Sequence, residues 1–522
     1  MGGMISDGDF SIREGNFLPS YESLRKFECP EWFKDAKFGI WSHWGPQSVP
    51  MFGDWYGYNM YMEGSPQYLY HQRVYGHQSQ FGYKDVIKLW KAENFDPAAL
   101  AETYAKAGAK FIVSQAMHHD NFDNFDSAFQ PRFNSVNMGP KKDIVGMWKE
   151  QAQRLGLPFG VSEHLSSSYG WYRHAKRCDT DGPFKGVPYD GCDAEYADLY
   201  HEGNNEFDFK GSGNFDREGW YAQFDRFCRH WFLRMKDLID KYQPDYIYTD
   251  SCLPFNAITE EMFRRRRVYS HPVDENEHGA QYGLGIVAHM YNTGLAVNGR
   301  QPVYAQKDKN VNVFSIGVLE IERSQEEEIT EYYWNTDTSI GDWFYNVKDV
   351  YKKWNFIAET IVDVASKNGN LLLNVNQKPD GTLDYECAHI LRKLAEWMEI
   401  NGEGIFGTRP FRVSGEGSSG FKNEREYDDK PVDWQPNDVR YTKCDERGAV
   451  YAFLMRRPND NKAILRQLNS SREKVENVVL LGCGPLPFTQ NGAALAVELP
   501  AALPSEFVNC LKISVKWPIL NV

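Results

Sequence analysis

Short apolar runs alternate with amphipathic stretches through about the first 400 residues. KFGIWSHWG (37–45), AKFIVSQAMHHD (109–120), PFGVSEH (158–164), PDYIYTDS (244–251), GLAVNGR (294–300), VFSIGVLEIER (313–323) and LLLNVN (371–376) predict strands. Between them, apolar positions recurring at spacings of three and four predict helices over 97–108, 144–156, 217–242, 347–366 and 384–400. Pro97 suits the first turn of its helix, and Gly156 the position just past the end of the next. Strand-then-helix repetition with near-continuous apolar strands predicts a parallel sheet covered by helices. The number of units favours a closed (β/α)8-like barrel over an open sheet.

After residue 402 the texture changes. VYAFLMRR, AILRQL, KVENVVLLG and LKISVKW alternate apolar with polar positions between Gly, Pro and Asn turns, as an antiparallel β-sandwich does. The expected domains are therefore a barrel over 1–402 and a sandwich over 403–522. The Gly-, Asp- and Tyr-rich stretch 165–215 is too long for a plain connection and is expected to decorate the barrel mouth. Arg264–Arg267 and Glu326–Glu328 read as solvated faces, the latter at a helix start.

Composition narrows the function. The 522 residues carry 58 Lys and Arg against 72 Asp and Glu, a net charge of −14. Such a surface repels phosphate backbones, so no nucleic-acid partner is expected. Nothing approaches the ~18 uninterrupted apolar residues of a membrane helix, so no membrane insertion is expected. Aromatic residues make up 15% of the chain, a surplus that sugar sites use by stacking rings on the apolar face of a pyranose. Nine cysteines without a CxxC pair support neither a zinc knuckle nor a dense disulfide framework; Cys178 and Cys192, flanking one loop, are the one plausible bridge. The opening MGGMISDGDF lacks the basic and apolar regions of a secretion signal. The compartment is left open by the sequence: periplasmic or secreted if a signal peptide has been removed, otherwise cytoplasmic.

In parallel barrels the reactive side chains gather at the C-terminal ends of the strands. The predicted strands end in Ser42-His43-Trp44, His118-His119-Asp120, Glu163-His164, Thr249-Asp250, Asn298-Gly299-Arg300 and Glu320-Ile321-Glu322-Arg323. Taken singly, each suits a helix cap or a hydrogen-bonded core group. Six together point to one shared polar pocket. A metal site is not expected. Adjacent strand residues face opposite ways, so His118 and His119 could share an ion only if the strand bends or ends there, and no HExxH helix occurs. Nor is there a GxSxG nucleophile elbow. Carboxylates remain: Asp250 after the apolar YIY, and Glu320 and Glu322 on one face of their strand. A fixed, ionised Asp facing a protonated Glu across a sugar-sized gap is what retaining glycoside hydrolysis requires.

KFGIWSHWGPQSVP, GDWY, AKFIVSQAMHHDNFDNFDS, PDYIYTD, TDTSIGDWFY, VASKNGNLLLNVNQKPDG and GIFGTRPF, in this order, resemble the motifs of the glycoside hydrolase family 29 α-L-fucosidases. The resemblance spans about residues 25–415. It implies a retaining exo-hydrolase that releases α-linked L-fucose from a fucosylated oligosaccharide or glycoconjugate through a covalent fucosyl–enzyme intermediate, with no metal or organic cofactor. Asp250 matches the nucleophile. His43, His118 and His119 match residues that bond the fucose hydroxyls. Asp54 and Trp55 fall where the family more often has Glu-Trp, Tyr248 where many members have Trp, and His164 near a Tyr or Trp contact. Arg300 resembles the Arg of an Asn-Asp-Arg strand end that touches fucose, and Trp343 an aromatic beside the sugar's C5 methyl. For the acid/base, Glu322-Arg323 resembles the Glu-Arg of bacterial members. Glu320 is the second choice, ahead of Glu163, Glu260 and Glu261. A fucose-binding protein that has lost catalysis, and an α-L-galactosidase-like specificity, stand as alternatives. Linkage preference would lie in the loops 165–215 and 253–293.

Overall fold

The computed structural model describes residues 9–202, 225–254, 280–422 and 429–516. Eight strands, β1 (Phe38–Ser42), β2 (Ile112–Met117), β3 (Phe159–Glu163), β4 (Tyr246–Thr249), β5 (Val303–Gln306), β6 (Val318–Glu322), β7 (Trp334–Ser339) and β8 (Gly369–Asn374), close into a barrel in chain order. Neighbouring strands run parallel throughout, from β1 against β2 round to β8 against β1. Both faces are covered, so every residue of these strands is buried except Glu322 at the end of β6. Trp41, Val113, Tyr246, Tyr248, Val303, Ala305, Val318 and Leu372 fill the interior, with Phe33 and Phe111 packed into the same cluster. Gly39 in β1 is required there: a Cβ would come within 2.3 Å of the Phe111 ring.

The helices Pro97–Lys106, Ile144–Arg154 and Tyr385–Asn401 lie where the periodicity places them, whereas the helix expected over 347–366 begins only at Trp354, 347–353 being turn and coil. Asp96, Asp143 and Asp384 cap three of them by accepting backbone N–H bonds. The predicted 217–242 helix is seen as Asp225–Tyr242, its earlier part lying outside the described residues.

Several segments depart from expectation. GLAVNGR is not a strand. It is the end of the helix Ala280–Val297 and a turn, and the barrel strand is the following VYAQ. That helix is apolar nearly all round because it is buried, so its end reads as a strand. VFSIGVLEIER divides into a single helical turn, Val311–Phe314, and β6. WNTDTS forms β7 despite its polarity, with Thr336 Oγ1 donating to the carbonyls of Ile321 and Ser324. The acidic run Glu326–Glu328 forms a bend, not a helix start.

The insertion after β3 packs rather than drapes. Asp190 accepts from Tyr61 at 2.6 Å and Tyr200 at 2.5 Å, and Asp179 from Tyr68 at 2.7 Å and Tyr189 at 2.5 Å. Cys178 and Cys192 are not bridged, and all nine cysteines are free.

Beyond the barrel, six strands form an antiparallel sheet in the order Gly484–Pro485, Lys474–Leu480, Asn509–Lys516, Ala449–Leu454, Val439–Cys444, Arg409–Glu416. A three-stranded sheet of Lys462–Leu465, Leu495–Glu498 and Phe488–Gln490 shares its core. This layered domain is tied to the barrel through buried charge: Asp363 of the helix Trp354–Ser366 accepts from Lys367 at 2.8 Å and Arg440 at 2.5 Å.

Candidate active site

Four imidazoles meet at the C-terminal rim. His43 follows β1, His118 and His119 follow β2, and His164 follows β3. Because β2 stops at Met117, the two consecutive histidines are free of strand alternation, and their ring centroids lie 4.5 Å apart. His118 lies 4.6 Å from His164 and 5.0 Å from His43. All four are buried. Burial, and then their mutual proximity, hold His43 and His118 well below the ordinary imidazole range, so both are neutral. A neutral imidazole offers one donor and one acceptor, which is what sugar hydroxyls take. The Gln47 amide donates to His118 Nδ1 at 2.8 Å, leaving Nε2–H as the outward donor. His119 Nδ1 donates to the His164 carbonyl at 2.6 Å and points Nε2 at Asp250.

Asp250 leaves β4 with its backbone N–H bonded to the Glu163 carbonyl. Its Oδ1 accepts from Tyr248 Oη at 3.0 Å and from Lys307 Nζ. Its Oδ2 lies 3.1 Å from His164 Nδ1 and 3.3 Å from His119 Nε2. Burial pushes this carboxyl up, but the Lys307 ammonium and the two imidazoles outweigh it and hold the group well below the usual carboxylate range. Lys307, directly after β5, also reaches Glu322 Oε2 at 2.5 Å. One ammonium bonded to both carboxylates keeps their nearest oxygens within about 6 Å of each other, the sum of two hydrogen bonds.

Glu322 and Glu320 point into the barrel, as their spacing predicts, but at different depths. The Glu322 side chain is 18% exposed, whereas Glu320 is 1% exposed, one layer down. Glu322 therefore faces the pocket and Glu320 the core. Glu163 is occupied structurally, its Oε2 accepting from Leu165 N and Trp231 Nε1. Glu260, Glu261 and Arg264–Arg267 lie outside the described residues.

The loop 51–55 lies against 342–346. Asp54 N donates to Asp342 Oδ2, and Gly53 (φ +80°) passes so close that a Cβ would fall 2.0 Å from that oxygen. Burial, then the Asp342 carboxylate, raise the Asp54 carboxyl well above its ordinary range, so it is a donor as well as an acceptor. The Trp55 ring stands 5.9 Å from His119. Trp343 lies 5.7 Å and Phe344 4.5 Å from His43, giving the pocket an aromatic side.

Arg300 does not join them. It pairs with Asp245 at 3.3 Å, just before β4 begins, at the opposite end of the barrel from Asp250. The basic residue at the β5 rim is Lys307, which the sequence reading passed over together with Asp337, Gln47 and Phe344. The signal for Lys307 was the QK step closing VYAQK, hidden by assigning the strand one segment too early.

Among the described residues, two donor sets lie within 4.8 Å and could hold a metal ion: His43, His118 and His164, and His119, His164 and Asp250. In the second set Asp250 is already bonded to Lys307. The first set offers the mixed donors and acceptors that suit neighbouring hydroxyls.

A closed parallel barrel with paired carboxylates, neutral imidazoles and aromatic walls at its C-terminal rim defines a glycoside hydrolase. The alpha-L-fucosidase family model matches residues 7–403 and the alpha-L-fucosidase C-terminal domain model residues 433–514, and the chain belongs to this family. It is 26% identical to the tissue alpha-L-fucosidase of Bos taurus over 513 residues, covering 95% of this chain and 91% of that one. It is 24% identical to the alpha-L-fucosidase of Branchiostoma floridae over 496 residues, covering 93% and 92%. The Thermotoga maritima alpha-fucosidase solved in complex with fucose shares the fold, with a TM-score of 0.67 at 23% identity and coverage of 95% and 100%. Among the described residues no helix is long and apolar enough to cross a membrane.

Proposed function

We propose that the protein is a retaining exo-α-L-fucosidase acting on fucosylated glycans. The observation that carries this reading is the Asp250–Lys307–Glu322 bridge. It ties both carboxyl groups to one ammonium, which limits their nearest oxygens to about 6 Å and so supports the short spacing of double displacement over the wider spacing an inverting water needs. Asp250, ionised, attacks the anomeric carbon as Glu322 gives its proton to the departing oxygen. Glu322 then takes a proton from water, which opens the fucosyl ester with overall retention.

L-Fucose has three ring hydroxyls and a C5 methyl. His43, His118, His119, His164 and Asp54 supply donors and acceptors to the hydroxyls, while Trp55, Tyr248, Trp343 and Phe344 supply apolar faces. Lys307 takes the strand-end role first assigned to Arg300. A protein that merely bound fucose would have no need to keep one carboxylate ionised beside a second. Release of nitrophenol from 4-nitrophenyl α-L-fucoside, with the α-anomer of fucose formed first, is the expected result. Labelling of a residue other than Asp250 by a 2-fluoro-fucosyl donor would overturn the nucleophile assignment.

A further inference from the structure

Three imidazoles that the proposed reaction uses as uncharged partners for hydroxyls are also arranged as ligands around one point. One nitrogen from each of His43, His118 and His164 lies within 4.8 Å of the other two. The ring centroids are separated by 5.0 Å for His43 and His118, 4.6 Å for His118 and His164, and 5.3 Å for His43 and His164. A tetrahedral ion with metal–nitrogen bonds of about 2.0–2.1 Å holds its nitrogens about 3.4 Å apart and their imidazole centroids about 5 Å apart. The centroids already stand at that spacing. Convergence on an ion therefore asks the rings to turn and not the strands to move.

The surroundings of the rings suit ligation. His43 Nδ1 and His164 Nε2 are buried and have no hydrogen-bond partner among the described residues. His164 Nδ1 lies 3.1 Å from Asp250 Oδ2, so the carboxylate keeps the ring proton on that nitrogen and leaves the lone pair on Nε2. An imidazole backed by a carboxylate in this way is a common form of metal-binding histidine. Asp250 thereby also meets the charge of an ion, through His164, while its other oxygen stays with Lys307. Ligands that are all imidazole nitrogen select Zn2+, Cu2+, Ni2+ and Co2+ over Mg2+ and Ca2+.

Gln47 serves the third ring in either state. Its amide nitrogen lies 2.8 Å from His118 Nδ1, and its Oε1 is buried without a partner. With sugar in the pocket the amide N–H donates to Nδ1 and His118 Nε2 carries the proton. With an ion on Nε2 the ring proton moves to Nδ1, and Gln47 accepts it through Oε1 by turning its amide over.

We propose that His43, His118 and His164 form a site for a divalent cation of the Zn2+ class, with Asp250 and Gln47 supporting the rings from behind, and that the ion and a sugar exclude each other because both need the same imidazoles. The ion is a reversible inhibitor and not a cofactor. It takes the nitrogens that otherwise bond hydroxyls and leaves Asp250 and Glu322 joined to Lys307. Exclusion of the sugar rests on the fucosidase reading, whereas binding of the ion does not.

Co2+, whose visible ligand-field bands report a four-coordinate site with water in the open position, reads the binding without turnover. Titrated into the full-length protein, it is expected to develop those bands at one equivalent, and Zn2+ or L-fucose is expected to remove them. His118→Asn and His164→Asn are expected to lose the bands. Gln47→Glu, which puts a carboxylate behind His118, is expected to tighten Co2+ binding about tenfold, and it decides the matter if the histidine variants do not fold. In kinetics on 4-nitrophenyl α-L-fucoside, free Zn2+ at ten times its dissociation constant is expected to raise the apparent KM about tenfold with kcat unchanged, and Mg2+ to do nothing. Absence of the bands, bands that persist in both histidine variants, or an affinity that Gln47→Glu does not move would overturn the site. Zn2+ that lowers kcat at constant KM would overturn the mutual exclusion. Bands that the histidine variants lose but L-fucose leaves untouched, in a protein that does not cleave the fucoside, would instead sink the fucosidase reading and leave the ion where it is placed here.

Discussion

Lys307 and Glu322 are joined by a 2.5 Å contact, and the same ammonium is bonded to Asp250, so one cation couples both halves of the proposed catalytic pair. Removing it acts on the nucleophile first. Lys307→Met withdraws the charge that offsets Asp250's burial, so the Asp250 pKa rises. The acidic limb of kcat/KM is expected to move up by about 1–3 pH units, the usual effect of an adjacent opposite charge. A profile whose acidic limb stays in place would deny Lys307 that influence.

Asp250→Ala is expected to lower kcat at least about a thousandfold while leaving thermal unfolding within a few degrees of wild type, since its side chain sits at a rim and not in the packed core. Added azide is expected to restore turnover and give the β-fucosyl azide. Rescue with retention would contradict the proposed geometry.

Glu322 and Glu320 separate on leaving-group dependence. Glu322→Ala is expected to slow substrates with poor leaving groups by about 10²–10⁴ and activated aryl fucosides far less. Glu320→Gln, deep in the core, is expected to leave that dependence unchanged. The reverse pattern in a series of aryl fucosides would exchange their roles.

The joint between barrel and sandwich makes a stability prediction. Burial raises the Asp363 carboxyl, but Lys367 and Arg440 outweigh it and leave the group below its ordinary value. An acid depressed on folding contributes stability above its unfolded pKa of about 3.9, and loses it as pH falls through the lower folded value. Asp363→Ala leaves two buried cations without their carboxylate and is expected to cost about 3–5 kcal/mol at neutral pH, measured by denaturant unfolding. The deficit relative to wild type is expected to shrink below about pH 4.

Gly39→Ala tests the barrel's tightest approach. A methyl within 2.3 Å of the Phe111 ring forces the ring or β1 to shift, and a loss of about 1–3 kcal/mol is expected. A variant as stable as wild type in the same unfolding assay would show that the ring yields freely.

The sequence made the barrel legible wherever strands were apolar and helices two-faced, as at 109–120 with the helix after it. It failed where those rules reverse. The buried helix Ala280–Val297 has little polar face, so its tail passed for a strand and carried Arg300 to the wrong end of the barrel. β7 is polar, so neither it nor Asp337 stood out. The strand-end histidines were legible because their chemistry is conspicuous. That both His118 and His119 enter one pocket depends on where β2 stops, which the alternation of residues does not reveal. The depth difference between Glu320 and Glu322 is likewise a property of the closed barrel and not of a spacing of two.

The tyrosine hydroxyls gripping Asp179 and Asp190 brace the described part of the insertion after β3. Anchors of this kind turn the segment between them into masonry instead of a hinged door. On the fucosidase reading proposed above, this braced flank would sort branched chains by their fit to a standing contour.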